Sequence, residues 1–229
     1  MKFSNDTMNI LKNFSLINQS ILFKPGNQLR STNGAAVFAE ATIAETIPTK
    51  APIWDLPKLL SIMSIVDSPE IDFFPTYLTI TSKNNVIRYA YAAESLIKSP
   101  PDKSVVVKDT FAELDLSWES IDKILKAVSI LRTDVLTFKS EDSKVLLTTS
   151  TKNSSGNYGS DSFTVSTDVE TSNNFKLDFK PDNFKIIADN YKVKIDTRKF
   201  INLQSDKVNY FISAEIEWWN NFYGQRNID

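Results

Sequence analysis

The same order of predicted elements appears twice in this sequence, and this repetition limits the possible folds more than any other feature. In each half, a helix is followed by several strands, a second helix and three more strands. Between the halves, Pro100 and Pro101 interrupt both patterns and favour an extended linker. We therefore predict an α+β protein of two similar domains, each with two helices packed on antiparallel sheet. The predicted segments are a first domain at 1–97, a linker at 98–111, a second domain at 112–217 and a tail at 218–229.

Three segments have apolar residues at the spacing of an amphipathic helix. The first follows Ser4, with Ser4 or Asn5 as its cap, and the second begins at Asp55, an N-cap candidate, with Pro57 in its first turn. The third covers residues 118–131, with its apolar face predicted at Ile121, Ile124, Leu125, Val128 and Leu131. A shorter fourth helix is predicted to open at Pro181.

Short segments rich in β-branched and aromatic residues predict the strands. Asn33-Gly34 indicates a hairpin turn, and the Ser-, Asn- and Gly-rich stretch at 152–160 predicts a mobile loop. The predicted strands are residues 21–23, 28–30, 36–41, 70–74, 77–81, 86–91, 135–139, 144–149, 162–169, 175–179, 191–196, 200–204 and 208–216.

The 229 residues include no cysteine and no histidine, and this absence excludes several chemistries. Disulfides, thiolate metal sites and cysteine nucleophiles are impossible, and the commonest general base is missing. With only 5 glycines there is no phosphate-binding loop. Adjacent acids such as Glu113/Asp115 and Glu141/Asp142 are typical of a solvated surface. We therefore expect a protein that is not an enzyme and that holds no metal and no cofactor.

The start of the chain is polar, and no run of about 18 apolar residues occurs. These features predict neither a signal peptide nor a membrane helix, so we expect an intracellular protein with no membrane partner.

Several segments, considered with the two α+β halves, resemble one family. The chain is similar to the sliding clamps of T4-type bacteriophages, which have the DNA clamp fold. The resemblance is strongest in residues 1–66 and extends to about residue 135. Its segments are Leu11-Lys12-Asn13-Phe14, Ile17-Asn18, Asn33-Gly34, Ala39-Glu40-Ala41, Ile53-Trp54-Asp55-Leu56, Leu60 to Val66 and the helix from Ile121 to Leu131.

This resemblance implies a homotrimeric ring with helices on its inner surface and sheet on its outer surface. Double-stranded DNA would pass through the ring, and a clamp-loader ATPase would open it. The ring would tether a DNA polymerase for processive synthesis and serve as a platform for other replication or late-transcription factors. The expected location is the cytoplasm of the infected bacterial host.

Basic residues on the helices are the candidates for DNA contact, because Lys and Arg bind phosphates without reading sequence. The formal net charge is only −2, so such contact depends on where the basic residues lie. The alternative is that they form an ordinary solvated face, with Glu119 and Asp122 pairing with nearby lysines. The candidates are Lys12, Lys58, Lys123, Lys126, Arg132 and Lys185.

Two further surfaces follow from the resemblance. Partner peptides would bind a hydrophobic pocket near the linker valines, unless the linker is only a tether. Ring closure would join edge strands of neighbouring subunits, unless each strand pairs only inside its own chain. The linker candidates are Val105, Val106 and Val107. The interface candidates are Val86, Arg88 and Tyr89 on one subunit, and Phe163 and Val165 on the next.

Rival interpretations stay open at the level of sequence. A phage tail or baseplate protein would also be rich in strands, although it would have no need of basic amphipathic helices. A single-strand-binding module would need aromatic and basic residues interleaved along its strands. The aromatic run Glu217-Trp218-Trp219-Asn220-Asn221-Phe222-Tyr223 either packs over the end of the sheet or docks a partner.

Overall fold

The computed structural model describes residues 1–153 and 157–215. The chain forms two compact units. The first contains residues 1–104 with the short segments 185–187 and 206–209, and the second contains most of the remainder. The aromatic run that begins at Glu217 lies outside the described residues.

The first helix, α1 (Asn5–Ile17), is capped by Ser4, one of the two caps that the sequence offers. The Ser4 hydroxyl accepts from the N–H of Thr7 at 3.2 Å. The carboxylate of Glu45 accepts from the Ser4 N–H and, at 2.5 Å, from the Thr7 hydroxyl. A carboxylate near a helix N-terminus also interacts favourably with the helix dipole. Burial opposes ionisation of Glu45, but these hydrogen bonds outweigh it and lower the pKa of its carboxyl.

The second helix, α2 (Leu56–Ser64), is capped by Asp55, which accepts from the N–H of Lys58 at 2.9 Å. The N–H of Leu56 donates to the carbonyl of Gln19 at 2.7 Å, so α2 begins beside the end of α1. Both helices pack through apolar side chains, each of which stabilises the fold by about 1.5–3 kcal/mol. Fully buried residues of this unit include Leu11, Phe14, Phe23, Ile53 and Leu56.

The strands of the first unit form three antiparallel groups. β1 (Ile21–Phe23) pairs with β4 (Ala51–Ile53), and β2 (Gly26–Thr32) pairs with β3 (Val37–Ile47). β5 (Glu70–Phe73), β6 (Tyr77–Ser82) and β7 (Asn85–Ala90) form a three-stranded sheet in that order. A 3-10 helix follows at Glu94–Leu96.

The predicted Asn33-Gly34 turn is confirmed between β2 and β3. The side-chain oxygen of Asn33 accepts from the backbone N–H groups of residues 35, 36 and 37 at 2.9–3.0 Å. Gly34 has φ of +74°, a conformation that favours glycine because it has no Cβ.

The helix of the second unit, α3 (Trp118–Leu131), is capped by Ser117, whose hydroxyl accepts from the N–H of Ser120. Its fully buried face is Ile121, Ile124 and Ala127. Leu125, Val128 and Leu131, predicted on that face, are only half-buried. The buried stripe is therefore rotated toward the small Ala127, and α3 packs on β10 and β11.

The strands of the second unit form antiparallel sheet. One group has the order β11-β10-β9-β12, and in another β15, β14, β13 and β8 are successive neighbours. Phe138 and Phe179 are fully buried and meet edge to face at 5.6 Å. The strands are β8 (Thr110–Leu116), β9 (Val135–Glu141), β10 (Lys144–Lys152), β11 (Tyr158–Glu170), β12 (Lys176–Phe179), β13 (Tyr191–Asp196), β14 (Phe200–Gln204) and β15 (Asn209–Ser213).

Two sequence predictions in this unit require correction. The helix predicted at Pro181 is a 3-10 helix of three residues, Pro181–Asn183, so the described part of this unit contains one α-helix rather than two. The backbone of Phe184 is no longer helical, and its side chain is buried against Phe138 and Phe179. The loop predicted at 152–160 is partly strand, because β10 continues to Lys152 and β11 begins at Tyr158.

Candidate nucleic-acid interface

The polar sides of α1 and α2 each present one predicted basic residue to solvent. Lys12 on α1 and Lys58 on α2 are exposed, and neither forms an ion pair within residues 1–153 and 157–215. Asn13, which follows Lys12, lies on the buried side, where its amide donates to the carbonyl of Lys185 at 3.0 Å. The uncompensated positive charge of these two helices is therefore carried by the two lysines.

The polar side of α3 differs, because each of its lysines is paired one turn away. Lys123 lies 2.6 Å from the carboxylate of Glu119, and Lys126 lies 2.5 Å from that of Asp122. The hydrogen bond from Lys123 lowers the pKa of the Glu119 carboxyl. The pairing that the sequence left open is thus present, and positive and negative charges alternate on this face.

The two remaining basic candidates do not lie on a helical polar face. Arg132 follows the last residue of α3 in the left-handed conformation, with φ of 53° and an exposed side chain. Lys185 was predicted on the Pro181 helix, and that prediction is wrong because the 3-10 helix ends at Asn183. The Lys185 ammonium instead donates to the carbonyl of Leu16, near the end of α1, at 3.3 Å.

The linker valines lie outside the helices and strands. Val106 is 64% exposed, whereas Val105 and Val107 are half-buried. The carbonyl of Val106 accepts from the Arg198 guanidinium at 2.5 Å. The N–H of Lys108 donates to the carboxylate of Asp196 at 3.3 Å. This end of the linker is therefore held in place rather than solvated on all sides.

The residues that hold this end of the linker were not found by sequence reasoning. Asp196 is fully buried and lies 2.8 Å from Arg198. Burial opposes ionisation of Asp196, but hydrogen bonds from Arg198 and Lys108 outweigh it and lower its pKa. No local pattern signals this role, because Arg198 contacts a residue 92 positions earlier in the chain.

Strand β7 is an outer strand of its sheet and carries the first set of interface candidates. Val86 is 74% exposed, and the exposed Arg88 stacks over the ring of Tyr77 at 3.8 Å. Tyr89 points to the other side, where its hydroxyl donates to the carbonyl of Asp55 at 3.0 Å. Val86 and Arg88 are therefore open to a neighbour, whereas Tyr89 is engaged within its own unit.

Strand β11 is the outer strand of the sheet of the second unit and carries the second set. It pairs with β10 in a register that places Phe163 opposite Thr149 and Val165 opposite Leu147. Phe163 is 37% exposed and Val165 is half-buried. In the described residues β11 has β10 as its neighbour on one side only, so its other edge is available for strand pairing.

Two further properties of the described residues concern metal ions and membranes. No group of three or more acidic side chains in residues 1–153 and 157–215 is placed to hold a metal ion. None of the helices in that part of the chain has the length and apolar character needed to cross a lipid bilayer.

The chain is similar to known proteins along almost its whole length. A family described as DNA polymerase processivity factor matches residues 4–102. The sliding clamp of Escherichia phage RB69 is 28% identical over 97% of this chain and 100% of its own. The sliding clamp of Vibrio phage KVP40 is 26% identical over 94% and 99%, and that of Enterobacteria phage T4 is 26% identical over 97% and 100%.

Solved structures show the same architecture at low sequence identity. PCNA from A. fulgidus superposes with a TM-score of 0.65 at 13% identity, covering 92% of this chain and 95% of that one. The beta subunit of DNA polymerase III from Borrelia burgdorferi gives a TM-score of 0.69 at 12% identity, covering 93% and 63%. The predicted α+β DNA clamp fold is therefore confirmed. The relatives are clamps rather than tail or baseplate proteins, and this chain is similar to the sliding clamps of T4-type phages over 94–97% of its length.

Proposed function

We propose that this chain is a DNA sliding clamp, which encircles duplex DNA and tethers the replicative polymerase for processive synthesis. One observation carries the proposal: the similarity to phage sliding clamps covers 94–97% of this chain and 99–100% of theirs. Nothing in this role requires catalysis by the chain itself, in keeping with a sequence that lacks both cysteine and histidine.

The basic residues on the helices support a weak, sequence-independent grip on DNA. Sliding requires that phosphate contacts be few and easily exchanged, because each contact adds affinity but no sequence information. Lys12 and Lys58 provide uncompensated charge, whereas Lys123 and Lys126 are paired with acids on the same helix. In the proposed ring these four lysines face the DNA, with Arg132 and Lys185 near the helix ends.

The ring itself is proposed to be a homotrimer closed by strand pairing. The free edge of β7, with Val86 and Arg88, would meet the free edge of β11, with Phe163 and Val165, on the next copy. Pairing would satisfy the open backbone groups of both edges and cover apolar side chains that are exposed in the single chain.

Protein partners are proposed to bind near the linker, at Val105, Val106 and Val107. Val106 is exposed while its backbone is held by Arg198, and such pre-ordering lowers the entropic cost of binding. The polymerase, a clamp-loader ATPase and other replication or late-transcription factors are the proposed partners. The proposed location is the cytoplasm of the infected host.

The test measures the mass of the protein assembly and compares its retention on circular and on linear DNA. Light scattering after size exclusion should give three times the 25.9 kDa of one chain, or a concentration-dependent mixture of monomer and trimer. With the cognate loader, the protein should remain on nicked circular DNA through a high-salt wash and leave the same DNA once it is linearised. A strict monomer or dimer at high concentration, or equal retention on both forms, contradicts an encircling ring.

A further inference from the structure

The segment that follows Pro100, residues 101–104, is held to the first unit mainly by polar contacts. Ile97 and Pro100 are buried, but all four residues after them are exposed. This segment, which we name the strap, has no regular secondary structure. Apolar packing therefore contributes little to its position, and its hydrogen bonds and ion pairs decide where it lies.

One side chain, Arg30 on β2, makes most of these contacts. Its guanidinium donates to the carbonyl of Pro101 at 3.3 Å, to the carbonyl of Asp102, and to the hydroxyl of Ser104 at 3.0 Å. A planar guanidinium can serve three acceptors at once because its five N–H donors form a rigid fork. Arg30 thus reaches three of the four residues of the strap.

Glu40 on β3 forms an ion pair with Arg30. The two residues are opposite each other in the β2–β3 register, and the Glu40 carboxylate lies 3.6 Å from Arg30 Nε. Their side chains are only 20% and 14% exposed. The same carboxylate accepts from the Ser104 hydroxyl at 3.0 Å and from the Asn209 amide at 3.2 Å. Glu40 therefore lies at ion-pair distance from Arg30 without a hydrogen bond to Nε, and the terminal nitrogens of Arg30 contact the strap.

A second, weaker contact involves Lys24, whose ammonium pairs with the carboxylate of Asp102. The hydrogen bond from Lys24 lowers the pKa of the Asp102 carboxyl. The Asp102 side chain is 80% exposed, so water and salt screen this pair more than the pair formed by Arg30 and Glu40.

We propose that Arg30 is a positioning residue that latches the strap onto β2 and β3. The chain passes to the second unit directly after Ser104, so the latch determines where the first unit releases the linker. Because the pair between Lys24 and Asp102 is exposed, rising ionic strength weakens the hold on the strap without unfolding the unit. The inference rests on the contacts of the strap and is independent of the proposed sliding-clamp function.

Limited trypsin digestion of the full-length protein tests the latch, because Lys103 lies inside the strap. Cleavage by dilute protease follows the population of the open form. Arg30→Gln should speed cleavage after Lys103 about tenfold, as expected for about 1.4 kcal/mol of lost latch free energy. Arg30→Lys should not restore protection, since an ammonium cannot bridge three acceptors in the same geometry. Lys2→Gln removes an exposed, ion-paired basic residue from the same unit and should be cleaved after Lys103 like the wild type.

Two readouts separate a latch from a general structural role. Mass spectrometry of the fragments compares Lys103 with Lys83, an exposed site in the turn between β6 and β7. Latch opening accelerates cleavage after Lys103 alone, whereas equal acceleration at both sites overturns the proposal. Salt should speed cleavage after Lys103 in the wild type and have less effect in Lys24→Gln, which lacks the exposed pair with Asp102. Wild-type cleavage rates in Arg30→Gln would also overturn the proposal.

Discussion

The ammonium of Lys126 lies 2.5 Å from the carboxylate of Asp122, one turn earlier on α3, and Lys123 and Glu119 repeat the arrangement at 2.6 Å. Exposed pairs of this kind contribute little to stability, because solvent screens the attraction between the two charges. Their larger consequence is electrostatic, because each acid offsets a positive charge that would otherwise attract DNA phosphates.

Removing those acids should strengthen DNA binding. In Glu119→Gln with Asp122→Asn, we expect the slope of log affinity against log salt concentration to become steeper by about 0.9 for each lysine freed. Fluorescence anisotropy of a labelled duplex over a salt series measures this slope. The matched control is Glu141→Gln, which frees Lys139 from a 2.5 Å pair at the end of β9. An unchanged slope in the double variant would show that α3 does not face DNA.

Removing the two uncompensated lysines should have the opposite effect. Lys12→Gln with Lys58→Gln should flatten the salt slope by about 0.9 per residue, because each lysine is expected to neutralise one phosphate. Both side chains are exposed, so the melting temperature should stay close to that of the wild type. Lys83→Gln, in an exposed turn, is the control. If the control lowers binding as much per charge removed as the double variant does, net charge alone explains the effect.

A charge placed at the free edge of β11 should weaken the ring. Phe163 is 37% exposed in the single chain, so Phe163→Asp is tolerated by the monomer but leaves a carboxylate in the proposed subunit contact. We expect the trimer fraction seen by light scattering to fall at least about tenfold at equal concentration, equivalent to about 1.4 kcal/mol.

The control for this variant is Ile65→Asp, which places the same charge on a 77% exposed residue at the end of α2. A trimer of Phe163→Asp as stable as that of the control would remove β11 from the interface.

Asp178 on β12 should contribute to stability in a pH-dependent manner. Its buried carboxylate accepts from Tyr158 at 2.5 Å, from Thr137 at 2.8 Å and from Lys152 at 2.9 Å. Burial opposes ionisation, but these hydrogen bonds together outweigh it and lower the pKa of Asp178 below its ordinary 3.8. The stabilisation is therefore present above about pH 4 and is lost as the pH falls through the lowered pKa.

Asp178→Asn tests this contribution. At neutral pH we expect a loss of about 1–3 kcal/mol in the free energy of unfolding, because three donors lose a charged acceptor. Urea denaturation at pH 7 and pH 3 should show the difference from the wild type shrinking in acid. A difference that stays constant between the two pH values would show that the ionised carboxylate is not the stabilising species.

The sequence by itself determined the three α-helices, most of the strands and the resemblance to sliding clamps. Ser4 and Asp55 cap α1 and α2 as the sequence predicts, and α3 covers the predicted residues 118–131, because capping and amphipathic spacing act over three or four residues. Asn33-Gly34 was equally predictable, since the turn requires a positive φ that glycine adopts without cost. The exposure of Lys12 and Lys58 follows from the same helical spacing.

Only the tertiary structure decided which polar groups are engaged. Asn13 lies beside Lys12 in the sequence, where a polar residue is expected to be exposed. It is instead buried, and its amide donates to the carbonyl of Lys185, 172 residues away. The burial of Phe184 ended the predicted Pro181 helix after three residues. Arg30 and Arg198 hold linker residues 71 to 92 positions distant. Such roles depend on which strands become neighbours, and no local pattern of residues encodes that pairing.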